Sequence, residues 1–186
     1  MKKVLLISMM ILSIIFISGC VQESKGTYKM DYYGTEMLFN SNLELAKDIP
    51  VYPDNATLKE TLFGYNVMGL RFAYYKNDTE AAYYAKALVS FASKYTKMNF
   101  VRWNYDMNGK ISYTMLNQTD TLTYSTEEEP TILLLGPAFA DETKIVVENN
   151  IVKVYAKDLE IRKGEYAGYT DFDLAMDKII LVLAED

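Results

Sequence analysis

Histidine is absent from this chain of 186 residues, and cysteine occurs once, at Cys20. With no second cysteine, no disulfide can form within the chain, so the fold stands on packing alone. Zinc sites of the His or Cys type, histidine-ligated haem, and Ser-His-Asp or Cys-His nucleophiles are excluded as well. What stays open is carboxylate, lysine, tyrosine or backbone chemistry, with oxygen-ligated calcium among the metals. Positive charge is scarce too: 19 Lys and Arg stand against 25 Asp and Glu, a net charge of −6. No basic run follows residue 25, which argues against nucleic acid as a partner and does not favour anionic headgroups. The expectation is a protein that is not an enzyme, with no cofactor, no metal and no catalytic residue to name.

What is present begins at the N-terminus. Lys2 and Lys3 precede an apolar run from Val4 to Ile17, broken only by Ser8 and Ser13, and Ile17-Ser18-Gly19-Cys20 follows. The basic end stays on the cytoplasmic side while the apolar run enters the membrane. Small residues let a peptidase approach the backbone, and the Cys20 thiol is nucleophilic enough to take a thioether-linked lipid. Fourteen residues of helix reach about 21 Å, short of a bilayer core of about 30 Å, which favours a processed signal over a spanning anchor. The expected division is a signal peptide over 1–19, the lipidated Cys20 with a polar tether to residue 27, and one exported domain over 28–186. Without Lys2 and Lys3, 17 basic residues face 25 acids, a mature charge of about −8.

The domain's expected class is α+β, a largely antiparallel sheet with two helices packed on it. Val67 to Tyr75 alternates as a strand. Asp78 offers an N-cap for a helix over 79–98, with Ala81, Ala85, Leu88, Ala92 and Tyr95 as its stripe. Asn108-Gly109 predicts a hairpin of 99–107 with 110–116, pairing Trp103 with Thr114 and Tyr105 with Ser112. Thr131 to Leu135 reads as a central strand. A second hairpin around Asn149-Asn150 sets Val147 opposite Val152 and Ile145 opposite Val154. Leu43 to Asp48 fits a helical turn, and Leu122 to Ser125 a short strand. Thr170 with Asp173 starts a terminal helix like a capping box, although Ile179 to Leu183 reads equally well as strand. Tyrosine is abundant, at 16 residues; the doublets Tyr32-Tyr33, Tyr74-Tyr75 and Tyr83-Tyr84 suit wet sheet faces, or contact with sugars and proteins.

Three sequons, at Asn55, Asn77 and Asn117, lie between predicted elements and are candidate N-glycosylation sites in a host that performs it. Asp171, Asp173 and Asp177, with Asp141 and Glu142, have a cation site as one reading and helix-start acids as the better one. Glu127 to Glu129 reads as a solvated turn, and Gly136-Pro137 as a turn rather than a ligand crevice. Ser90 and Lys94 stand one helical turn apart, without a motif that makes them a dyad.

The chain resembles uncharacterised archaeal cell-surface lipoproteins of the methanogen type. The likeness lies in Ile17 to Cys20, Ile49-Pro50-Val51-Tyr52-Pro53, Glu129 to Pro137, the hairpin at 144–156, and Asp171 to Leu183; the tail is similar, more faintly, to segments of S-layer proteins. The resemblance implies a place on the outer face of the cell membrane, and glycosylation, and transfers no activity. The expected function is a lipid-anchored, non-enzymatic domain that contacts envelope proteins or glycans. A small solute-binding or transporter-accessory lipoprotein is the alternative, and a hydrolase using carboxylates alone is a third.

Overall fold

Thr131–Leu135, five consecutive buried residues, forms the middle of a sheet, and a helix of almost wholly buried residues lies across it. The computed structural model describes residues 28–76, 80–117, 119–120, 122 and 125–185. The strands are β1 (Lys29–Tyr32), β2 (Thr35–Leu38), β3 (Val51–Tyr52), β4 (Leu70–Tyr75), β5 (Ile111–Leu116), β6 (Thr131–Leu135), β7 (Lys144–Glu148), β8 (Ile151–Tyr155), β9 (Arg162–Lys163) and β10 (Gly168–Tyr169). The helices are α1 (Leu43–Lys47), α2 (Asn55–Phe63), α3 (Ala81–Trp103) and α4 (Asp171–Ala184).

Six strands form the main sheet in the order β3-β7-β8-β6-β4-β5, and β1-β2 and β9-β10 are separate two-stranded ribbons. A strand such as β6 can be apolar throughout because both its faces are covered. On one face Leu70, Phe72, Ile132, Leu134, Val152 and Val154 pack beneath the helices; on the other Ala73, Leu116, Leu133 and Leu135 form a smaller cluster. Helix α4 is apolar nearly all round because it lies between the sheet and α1, α2 and α3. The expected capping box starts it, with Asp173 accepting from the Thr170 N–H at 2.8 Å.

The α+β class stands, with helices packed on a mixed sheet. Antiparallel pairing holds in the two ribbons and between β7 and β8, where Val147 meets Val152 and Ile145 meets Val154 in the expected register. Asn149 and Asn150 both have positive φ there, as a tight two-residue turn requires. The pairings β3-β7, β4-β5, β4-β6 and β6-β8 are parallel.

The hairpin expected at Asn108-Gly109 is corrected. Residues 99–103 continue α3, so Trp103 ends a helix and pairs with no strand. Asn104, at φ 50°, closes that helix in the left-handed region. Gly109 then turns the chain into β5, which runs parallel to β4 because the 23-residue α3 supplies the crossover a parallel pair needs. The expected stripe of α3 is also rotated: Tyr84, Leu88, Phe91, Tyr95 and Met98 face the core, while Ala81 and Ala85 are exposed. Beyond the two helices expected to pack on the sheet, α1 is the helical turn expected at 43–48, and α2 was not expected, because Pro53 and the short polar segment after it suggest a loop. Each Tyr doublet except Tyr74-Tyr75 splits into one buried ring, Tyr32 or Tyr84, and one more exposed. The expected Asp78 cap lies outside the described residues, as does part of the strand expected at 122–125.

Candidate functional site

Exposed aromatic side chains surround the loop that joins α2 to β4. Gly64 ends α2 with its N–H on the Glu60 carbonyl at 3.0 Å, and a Cβ there would stand 2.5 Å from that same oxygen, so the close approach requires glycine. The Val67 N–H returns to the Gly64 carbonyl at 3.1 Å, and the Met68 and Gly69 N–H groups both donate to the Glu128 carbonyl. Tyr95 holds the end of α2 from below by donating to the Leu62 carbonyl at 2.6 Å, and burial pushes its phenol upward in pKa. From the other side, the reversal at Asn104 brings Tyr105 back along α3, where its hydroxyl donates to the Met68 carbonyl at 3.0 Å.

Tyr65 therefore projects from a pinned loop with 86% of its surface exposed, facing Trp103 at 42% and Met68 at 52%. Between them lies a cavity of about 200 Å³, lined also by Val67, Asn99 and Tyr105. Tyr65 also lines a second cavity of about 450 Å³, together with Thr57, Glu60, Thr61, Asn66, Glu127 and Asn150. Among the described residues no Lys or Arg lines either one. Next to the first cavity the Arg102 guanidinium lies over the Trp103 ring at 5.0 Å and over Phe63 at 5.6 Å. Ring faces beside carboxylates, carboxamides and hydroxyls suit a neutral ligand with an apolar face and a polar edge, and disfavour an anion.

The residues singled out in the sequence fall elsewhere. Ile17, Ser18, Gly19, Cys20 and Asn77 lie outside the described residues. Asn55 is corrected: it opens helix α2 instead of lying between elements, directly after the Asp54 cap that accepts from the Thr57 N–H. Asn117 is exposed just beyond β5, with its backbone N–H and its carboxamide both on the Asp120 carboxylate at 2.7 and 3.0 Å.

The three C-terminal acids do not converge. Asp171 takes Arg162 at 2.6 Å, the Thr143 hydroxyl and the Asp158 N–H. Asp173 completes the capping box and meets Lys86 at 3.2 Å. Asp177 is corrected from a helix-start acid to the centre of a buried cluster, in which Lys94 reaches it at 3.1 Å and Ser41 also donates to it. Burial pushes the Asp177 carboxyl upward, while Lys94 and Ser41 pull it back. Ser90 does meet the Lys94 ammonium, at 2.6 Å, but that ammonium also holds Asp177, so the two residues belong to the buried cluster and do not stand alone as a pair. Asp141 and Glu142 sit on Lys144 at the surface. Among the described residues no group of three acidic or thiol side chains is placed to hold a metal ion, and no helix is long and apolar enough to cross a membrane.

Of the two loop readings, that of Glu129 changes and that of Gly136-Pro137 as a turn holds. Glu129 is no free solvated acid: it binds Arg71 and, at 3.1 Å, Ser112, tying the start of β4 to β5. The crevice after β6 is filled. Glu80 lies against Gly136, where a Cβ would stand 2.3 Å from its carboxylate, and the Tyr84 hydroxyl donates to Glu80. Burial first, and then Glu80, raises the pKa of the Tyr84 phenol. Sequence reasoning passed over the Tyr65 groove because its walls come from residues 57–68, 99–105, 127 and 150. The single tryptophan beside Asn104-Tyr105 was the one available signal. Comparison of the chain with protein families, with characterised proteins and with solved structures finds no match.

Proposed function

We propose that the chain is an exported, lipid-anchored surface domain that binds envelope components without catalysing their conversion, and that the Tyr65 groove is its contact site. The observation carrying this reading is an aromatic ring left 86% exposed on a loop that five hydrogen bonds and a glycine-only cap hold in place. Large exposed rings on fixed backbone are favourable for recognition, because little conformational freedom is lost on binding. The absence of basic lining residues in the described groove favours neutral glycan over acidic polymer or phospholipid headgroup. The lipobox at Ile17 to Cys20 supports placement at the outer membrane face, and Asp171, Asp173 and Asp177, taken up by a cap and by ion pairs, give no support to hydrolysis.

Location and binding are tested apart. Cys20→Ser in the full chain should abolish lipid labelling and leave precursor or released protein. A variant that still partitions into detergent at the processed size would sink the anchor. For binding, soluble neutral oligosaccharides prepared from the envelope should displace the protein from isolated envelopes. Displacement by acidic polymers alone would contradict the groove's chemistry.

A further inference from the structure

The two edges of the main sheet are built differently. At one end β3 has only two residues, set between Pro50 and Pro53, and a short edge flanked by prolines gives little for another strand to pair with. At the other end β5 has six residues, Ile-Ser-Tyr-Thr-Met-Leu, with no proline, glycine or charge. Among the described residues its one sheet neighbour is β4. Tyr113 is 56% exposed and Met115 58%, and beside them a cavity of about 480 Å³ opens between β5 and α3 at Ala92, Thr96 and Ile111. None of the charges or bulges by which edge strands avoid pairing is present in β5.

The backbone fixes which groups face outward. Lys110 and Leu116 give their carbonyls to β4, at 3.0 and 2.7 Å, so the alternation of a parallel ladder turns the N–H and C=O of Ile111, Tyr113 and Met115 away from the sheet. A second β5 brought in antiparallel about a two-fold axis at Tyr113 sets Tyr113 opposite its own copy, Ile111 opposite Met115, and Ser112 opposite Thr114. The outward-turned residues then fall in the hydrogen-bonded pairs, where each exchanges both bonds with its opposite number. The side chains also match on both faces: ring against ring and aliphatic against thioether on the helix side, hydroxyl against hydroxyl on the other. No charge meets its like, as it would wherever an isologous strand carried one at its centre.

We infer that β5 pairs with β5 of a second copy of this chain, joining the two main sheets into one continuous sheet with Tyr113 on the two-fold axis. This is independent of the Tyr65 groove, which neither Tyr113 nor Met115 lines.

The test uses the full chain in detergent. Sedimentation should give twice the chain mass for the wild type and the single mass for Tyr113→Lys, with the helical signal of the two alike. Mild oxidation of Tyr113→Cys should give a disulfide-linked dimer, because the paired Cα atoms stand about 5.5 Å apart, within the span a disulfide bridges. Ser112→Cys alone should stay uncross-linked, its own copy being a diagonal neighbour at about 7–8 Å. Ser112→Cys combined with Thr114→Cys should cross-link. The wild type, whose one cysteine is Cys20, supplies the background. A wild type of single mass, a Tyr113→Lys chain of doubled mass, or a Tyr113→Cys chain no more cross-linked than wild type would each overturn the proposal. So would a monomer that takes an extended foreign peptide along β5. The cysteine variants keep the question decidable if Tyr113→Lys, which loses the stacking of this ring on Phe72, fails to fold.

Discussion

At Gly109 the backbone has φ of 72°, and an added Cβ would meet no heavy atom within 4 Å. The cost of a side chain there is therefore conformational alone. Gly109→Val should lower stability by about 1–3 kcal/mol, the scale of a strained left-handed position, and a denaturant melt measures it. Asn108-Gly109 was legible as a turn; what it joins was not. Phe100, Val101 and Trp103 have strand-like propensity, and only the buried series Tyr84, Leu88, Phe91, Tyr95 and Met98 on the sheet carries the helix through them. Thr131 gives a second residue-scale expectation. It is fully buried, and among the described residues its hydroxyl meets no hydrogen-bond partner. Thr131→Val keeps the shape and removes that hydroxyl, so the melt should shift toward greater stability, by about 1 kcal/mol. A loss of stability would mean that the hydroxyl is satisfied.

Between elements, the junction of α3 and α4 turns on Lys94 and Asp177, both within a few per cent of full burial. Breaking such a pair leaves one buried charge without compensation. Asp177→Leu alone should cost about 3–5 kcal/mol, whereas Asp177→Leu with Lys94→Met should recover most of the loss. A double variant as unstable as the single one would show that the cluster's hydroxyls, Ser41 and Ser90, matter more than its charges. Asp177 also sets a sign for pH. Because the folded state holds this carboxyl's pKa above its ordinary value, the folded chain keeps a proton that the unfolded chain has released. Its contribution to stability therefore falls as pH rises from the ordinary Asp pKa to the raised one. That segment of the pH profile should flatten in the double variant. The sequence placed α4 by its capping box and left Ile179 to Leu183 open, because a helix buried on every side loses the period that separates it from a strand. Ser90 and Lys94 were visible one turn apart, but their third partner stands 83 residues beyond Lys94, and no local pattern reaches that far.

Over the whole molecule, pairings between distant strands decide what the surface offers. The β7-β8 hairpin was legible to the residue because a two-residue turn fixes its register. The order of β4, β5, β6 and β8 was not, because parallel partners are set by crossovers and packing and not by adjacent sequence. The same folding brings residues 57–68, 99–105, 127 and 150 into one groove, and Tyr65, exposed at its ridge, has little part in the core. That separation of binding from stability gives the most direct test. The affinity of the full-length protein for a neutral oligosaccharide fraction of its own envelope is measured by titration calorimetry, beside that of Tyr65→Ala. The account predicts that Tyr65→Ala binds more weakly by about 2 kcal/mol, roughly thirtyfold in Kd, with an unchanged melting temperature. Equal affinity in the two proteins would contradict the assignment of this groove as the binding site.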